Sequence, residues 1–234
     1  MAVHVGKLIL LIGIMTVAPA FATKYHEGLA YSTAKTAKAG VWNSHFTTFK
    51  AYAQKKGVPF VVLWVNPGCG YCSKLCRNIA ASSAFTAWRK SSGYVFSLGI
   101  GERSADAAAA KAFARDSSKR YPYCAVYVNP IGTVSPAMKK TFTGRNMTAK
   151  KFMSKVKTLL KNYVKITLKA QTGGSVKQIG YHKIGKTVTL KATPSSAYKF
   201  AGWYKGSTRV STKSVYKLKV RSAGTYTAKF KKKK

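Results

Sequence analysis

Two cysteines three positions apart, Cys69 and Cys72, constrain this chain more than any other feature. They stand in the run Trp64-Val65-Asn66-Pro67-Gly68-Cys69-Gly70-Tyr71-Cys72. The apolar segment Phe60 to Val65 ahead of them reads as a buried strand, and Ser73 to Trp88 after them reads as a helix. That places both thiols at a strand-to-helix turn, on the first turn of the helix. A helix N-terminus favours negative charge, so it stabilises a thiolate, the attacking species in disulfide exchange. A second thiol one turn on can close a disulfide with the first and release a trapped substrate. A lone C-x-x-C also serves as half a metal site, but the flanking strand and helix move the reading toward redox.

The remaining pattern divides the chain near Tyr163. Before it, helices and strands alternate. Ser44 to Lys55 is an amphipathic helix, Gly93 to Ile100 a strand, and Ala105 to Lys119 an Ala-rich helix. Ala125 to Val128 and Lys139 to Thr143 are further strands, with a turn at Ile131-Gly132 between them, and Ala149 to Asn162 is a closing helix. Strands separated by helices imply an α/β sheet covered by helices. After Tyr163 the helical signal stops. Lys165 to Ala170, Lys186 to Ala192, Val215 to Val220 and Thr225 to Phe230 all alternate with period two, separated by Gly and Pro turns. This predicts a small all-β unit over residues 165–230, centred on Phe200, Trp203 and Tyr204, with a disordered lysine tail at 231–234.

The first 22 residues read as a secretory signal: Lys7, the apolar run Leu8 to Val17, then Ala20-Phe21-Ala22 at a cleavage site. The apolar run is shorter than the roughly 20 residues a spanning helix needs, and no later stretch is apolar enough to span. The expectation is an exported protein, periplasmic or extracellular, in a compartment where disulfides persist. Residues 23–41 are expected to be an N-terminal extension.

Charge narrows the chemistry. There are 42 Lys and Arg against 4 Asp and Glu, and no acid follows Asp116. Paired carboxylates for glycoside or proton chemistry, and oxygen-rich sites for hard metals, are essentially excluded. From Lys165 to Lys234 there are 18 basic residues and no acidic one. Such a polycation suits a densely anionic partner, an envelope polymer being the expectation, without specific nucleic-acid recognition; organism-wide composition is the competing account.

On these motifs residues 42–163 resemble a thioredoxin-fold protein. The carrying residues are Cys69-Gly70-Tyr71-Cys72 at the strand–helix junction and Tyr121-Pro122-Tyr123 ahead of a strand. The resemblance implies that Pro122 is a cis-proline facing the cysteines and, with them, part of the catalytic set. The Gly-Tyr dipeptide is similar to that of bacterial periplasmic disulfide isomerases. The chain departs from the family at Leu63, where thioredoxin has a buried Asp, at Tyr121 before the proline, and in lacking an isomerase-type dimerisation domain. Residues 165–230 resemble a Listeria–Bacteroides, or internalin B-type, repeat. Val188-Thr189-Leu190-Lys191-Ala192-Thr193-Pro194, Tyr198-Lys199-Phe200-Ala201-Gly202-Trp203-Tyr204 and Thr225-Tyr226-Thr227-Ala228-Lys229-Phe230 carry that likeness. It implies a small β-grasp-like fold in an extracytoplasmic setting. The fold class expected is thus an α/β thioredoxin fold followed by a small all-β, β-grasp-like repeat domain.

The expected activity is thiol–disulfide exchange on protein disulfides, by reduction or isomerisation. Cys69 is the nucleophile and Cys72 the resolving thiol; Gly70, Tyr71 and Tyr121 contact the substrate. A redox partner must recycle the pair, and no cofactor or metal is expected. A static Cys69–Cys72 bridge, and a four-thiolate metal site with Cys76 and Cys124, are the competing readings. Cys76 and Cys124 are expected either to pair with each other or to be buried free thiols. The rival function is a surface-binding protein that uses the basic module, with the α/β part as scaffold.

Overall fold

The structure, a computed structural model, describes residues 23–32, 38–100, 121–129, 139–143, 146–177 and 179–233. The expected signal segment, the Ala105 to Lys119 helix and the Ile131-Gly132 turn lie outside these residues.

The first region is built on a seven-stranded mixed sheet. Its strands are β1 (Thr23–His26), β2 (Leu29–Ser32), β3 (Trp42–Asn43), β4 (Phe60–Val65), β5 (Val95–Ile100), β6 (Tyr123–Tyr127) and β7 (Lys139–Thr143), in the order β1-β2-β3-β5-β4-β6-β7. β4 lies between parallel β5 and antiparallel β6, and all six of its residues are buried. A strand covered on both faces reads as a continuous apolar run, which is what Phe-Val-Val-Leu-Trp-Val is. Its alternate residues serve two cores. Val61, Leu63 and Val65 pack with Phe96, Leu98, Cys124 and Val126, while Phe60, Val62 and Trp64 pack with Val95, Tyr123, Ala125 and Tyr127. Trp64 lies over Gly99, where an added Cβ would sit 2.1 Å from the indole.

Helices α1 (Phe46–Lys56), α2 (Gly70–Ala81), α3 (Ser83–Ser91) and α4 (Ala149–Leu160) cover the sheet. α1 places Phe46, Phe49 and Ala53 on the second core and ends at Gly57, in the left-handed region. α2 buries Cys72, Leu75, Cys76 and Ile79, one stripe at helical spacing, on the first core. The single helix expected from Ser73 to Trp88 is in fact two. Ser82 is extended (φ −89°, ψ 103°), and its hydroxyl accepts from the Phe85 N–H at 3.1 Å. A serine able to cap the next helix offers the backbone an alternative to continuing the previous one.

Residues 23–41 are not a mere extension. β1 and β2 form a hairpin that joins the sheet through β3. The turn Glu27-Gly28 lies against α2, where the Arg77 guanidinium donates to the Glu27 carboxylate at 3.0 Å. Only four-residue strands are involved, too short for their alternation to stand out in the sequence.

The second region contains no helix among the described residues. One sheet has the order β10-β8-β15-β12-β13, built from β8 (Tyr163–Ala170), β10 (Gly180–Lys183), β12 (Tyr198–Lys205), β13 (Thr208–Ser211) and β15 (Gly224–Lys232). The other has the order β14-β11-β9, from β9 (Gly174–Val176), β11 (Thr187–Pro194) and β14 (Val215–Lys219). The first and last strands, β8 and β15, lie side by side and parallel. Ile166, Leu168, Leu190, Ala192, Trp203, Leu218, Tyr226 and Ala228 form the core between the sheets.

Two expectations for this region are corrected. The lysine tail is not disordered through Lys233: Lys231 and Lys232 pair with Lys199 and Tyr198, and the Lys233 N–H bonds to the Ala197 carbonyl at 2.9 Å. The backbone continues a ladder that charge repulsion between side chains does not break. Nor is Tyr204 in the core. A bulge between Phe200 and Gly202 shifts the register, so Trp203 turns inward, fully buried, and Tyr204 turns to the opposite face. The two regions meet at β10: Tyr181 meets Tyr94 edge-on at 6.4 Å, and the Asn129 amide donates to the Ile179 carbonyl at 2.8 Å.

Candidate active site

The site grows out of the end of β4. After Val65 the segment Asn66-Pro67-Gly68 is exposed, and Gly68 takes a positive φ of 78° to turn the chain into α2. Cys69 is the residue that caps α2, so the helix starts three residues earlier than the apolar pattern indicated. Its sulfur accepts from the Cys72 N–H at 3.2 Å, and Cys69 and Cys72 are joined in a disulfide with Cα atoms 5.2 Å apart. The two sulfurs are unlike. Cys69 is half-buried, whereas Cys72 is fully buried against the core. An incoming thiolate or disulfide therefore meets Cys69 first. When the bridge is open, the helix N-terminus and the Cys72 N–H both favour negative charge on Cys69.

The opposite wall comes from the start of β6. The ladder sets Trp64 against Tyr123 and Leu63 against Cys124, so Pro122 is level with the end of β4, beside the loop that carries Cys69. The Tyr121-Pro122 bond is cis. Pro122 is buried, while Tyr121 is half-buried and packs on the same core as Cys69. Tyr71 is 43% exposed on the rim and Gly70 is exposed. Cys69, Cys72, Pro122, Tyr71, Gly70 and Tyr121 thus share one end of the sheet.

Cys76 and Cys124 belong beneath this site rather than in it. Both are free thiols and fully buried, so the bridge weighed between them is not formed. Each fills the core as a small apolar side chain. Burial pushes the Cys76 thiol up to about 12, with the Glu27 charge adding to the rise and Arg77 opposing it. Burial also raises Cys124 well above its ordinary value. Neither is a thiolate at neutral pH, which removes them as nucleophiles. Among the described residues, no group of three or more His, Cys, Asp or Glu is placed to hold a metal.

The Glu27–Arg77 pair escaped sequence reasoning, because its partners are 50 positions apart on elements whose docking no local pattern reveals. It ties the hairpin to the helix that carries the disulfide.

Residues 164–234 match the divergent InlB B-repeat domain family. Such domains are typical of surface or extracellular proteins, and no helix among the described residues is long and apolar enough to cross a membrane. A solved DsbH oxidoreductase is similar over 54% of this chain and 88% of its own, at 17% identity and a TM-score of 0.38. The first thioredoxin domain of mouse protein disulfide-isomerase A4 is similar over 60% of this chain and 81% of its own, at 15% identity and a TM-score of 0.35. No curated protein matches the chain.

Proposed function

We propose that the protein is an exported thiol–disulfide oxidoreductase of thioredoxin-like fold that reduces or isomerises protein disulfides. One observation carries the reading: a disulfide at the first turn of α2 whose outer sulfur caps the helix and whose inner sulfur is buried. That asymmetry separates an attacking from a resolving thiol. In the reduced protein the Cys69 thiolate attacks one sulfur of a substrate disulfide. A bond forms between Cys69 and that sulfur, the substrate S–S bond breaks, and the other substrate sulfur leaves as a thiolate that takes up a proton. Cys72, deprotonated, then attacks the Cys69 sulfur, closes the internal disulfide and expels the second substrate thiol. Two electrons pass from the protein to the substrate. Another dithiol must return them, or the substrate must rearrange while still attached at Cys69, which is the isomerase outcome. Pro122 and the adjoining backbone form the wall along which an extended substrate segment lies, with Tyr71 and Tyr121 at its rim.

The basic C-terminal region, in this reading, retains the redox region at an anionic envelope polymer. The absence of any acid after Asp116 supports it.

The test is substitution of each cysteine. Cys69→Ser should abolish insulin disulfide reduction, a loss of at least ~10³-fold, because the nucleophile itself is removed. Cys72→Ser should retain attack and accumulate mixed disulfides visible on non-reducing gels. Equal loss in both variants without a trapped adduct would make the bridge structural and leave the rival reading, a surface-binding protein with the α/β part as scaffold.

A further inference from the structure

The outer face of the five-stranded sheet carries a cation arrangement that the fold holds together at a cost. On β15, Thr225, Thr227, Lys229 and Lys231 alternate with the core residues Tyr226 and Ala228 and therefore point outward. Lys231 stands directly opposite Lys199 of β12. One step along, Lys229 stands opposite Gly202. Gly202 has no side chain, and the Arg209 stem fills that space: an added Cβ would sit 2.9 Å from its Cδ and 3.2 Å from its Cγ. Arg209 thus lies across the strand toward Lys229. The Lys229 ammonium rests 4.1 Å from the centroid of the Tyr204 ring. The next row runs Arg209, Tyr204, Thr227, Lys169 across four strands.

Like charges directly opposite on a sheet face are destabilising, and this region's own sequence holds no acidic side chain to offset them. The bulge that turns Tyr204 outward and the glycine that seats Arg209 are particular to this face. On the second sheet Lys191, Lys217 and Lys219 are exposed but have no aromatic neighbour of this kind, and Thr189 and Thr187 stand opposite the last two. The β10 end of the outer face is taken by the first region through Tyr181, so the open part lies over β15, β12, β13 and the exposed Lys169 end of β8.

We propose that this face is a docking surface for an anionic glycan. Lys169, Lys199, Arg209, Lys229 and Lys231 would neutralise its acidic groups, and Tyr204 would pack against a sugar ring. The inference rests on the retention reading above and sharpens it to one surface. A glycan fits better than nucleic acid. Successive bases need several stacking rings, and this face offers one aromatic ring beside the hydroxyls of Thr225 and Thr227, which suit sugar hydroxyls.

The full chain is titrated with a heparin decasaccharide, as a sulfated glycan, and with single-stranded poly(dT) of equal charge. Wild type should bind heparin at about 50 mM salt and weaken steeply as salt rises. Lys169→Gln/Arg209→Gln/Lys229→Gln should lose at least ~10-fold in affinity, while charge-matched Lys191→Gln/Lys217→Gln/Lys219→Gln loses less than ~3-fold, since only the first set removes contacts rather than field. Tyr204→Ala should weaken heparin roughly 5-fold with an unchanged salt slope, because it removes no charge. Equal losses from both triple variants would overturn the docking face and leave non-specific retention standing. No heparin binding by wild type at low salt would overturn retention as well. Tighter, face-dependent binding of poly(dT) would overturn the glycan assignment.

Discussion

All four cysteines and all four acidic residues precede residue 125, and the β region after Tyr163 has neither. The two halves solve the problem of holding a function in opposite ways. The α/β region keeps its reactive groups at the edge of a dense core: β4 is buried along its whole length, and the disulfide sits where that strand ends. The β region keeps its charged candidates, Lys199, Lys229 and Lys231 among them, on the outer face of one sheet, opposite its core. The first design shields a sulfur pair; the second displays cations on an open face. The contrast also predicts which substitutions act locally and which spread.

The largest expected effect tests whether the halves are separable. Trp203 is fully buried, and its indole N–H donates to the Ser214 carbonyl at 3.2 Å. Trp203→Ala should cost about 3–5 kcal/mol, a large fraction of a domain's stability. If the comparison holds, thermal unfolding resolves two transitions in this variant, only the β-region one is lowered, and insulin reduction at 25 °C is within about twofold of wild type. One shared transition that falls as a whole would show that Tyr181 and Asn129 couple the regions into one cooperative unit.

A smaller effect separates the two kinds of cysteine. Cys76 and Cys124 are held neutral by burial, so the folded protein keeps their protons to higher pH than the unfolded chain does. An unfolded thiol ionises near the ordinary value of 9.0, whereas Cys76 is pushed up to about 12. The stability they contribute is therefore complete below pH 9 and is lost as pH rises from there toward 12. Each buried thiol should remove about 1.4 kcal/mol per pH unit in that window. Urea midpoints at rising pH would show this as a slope that the Cys76→Ala/Cys124→Ala variant reduces. Half-buried tyrosines, Tyr94 and Tyr181 among them, are shifted upward in the same direction by burial, so the difference between the two proteins is the measurement. An unchanged slope would mean that these thiols are solvated and open to exchange with the Cys69–Cys72 pair.

Much of this arrangement was legible in the residues. β4, α1, β5 and α4 follow from their apolar patterns, and the strand–Cys-x-x-Cys–helix order places the disulfide. The rest is set by contacts that no window of sequence contains. The β1–β2 hairpin has too few residues for its alternation to signal a strand, and its place depends on pairing with β3 and on Arg77. The break at Ser82 reflects a competition between two helices for one hydroxyl. The outward turn of Tyr204 depends on a bulge, which shifts every later side chain of the strand by one and cannot be seen in the alternation of Tyr198 to Lys205. Cys76 and Cys124 read equally well as a bridge or as packing, and only the fold, which leaves both as free thiols among Leu75, Leu63 and Val126, separates the two.

The smallest expected effect concerns the ion pair that joins the hairpin to the helix that carries the disulfide. Arg77 and Glu27 approach to 3.0 Å, but their side chains are 63% and 37% exposed. An exposed pair of this kind contributes about 0–1 kcal/mol, and salt screens it further. Glu27→Gln should therefore shift the urea midpoint only slightly, with most of the shift gone at about 0.5 M salt. Insulin reduction should be unaffected, since the disulfide is held by the cap of α2 and by the core rather than by this contact. The substitution is informative because acids are so scarce. In a chain of 42 Lys and Arg, a carboxylate beside α2 can act on the surrounding positive field as well as on its one partner. A loss above ~1 kcal/mol at low salt that vanishes at high salt would show that relief of the wider field, not the pair, is what Glu27 supplies. The α/β region would then depend on its few acids for more than one contact.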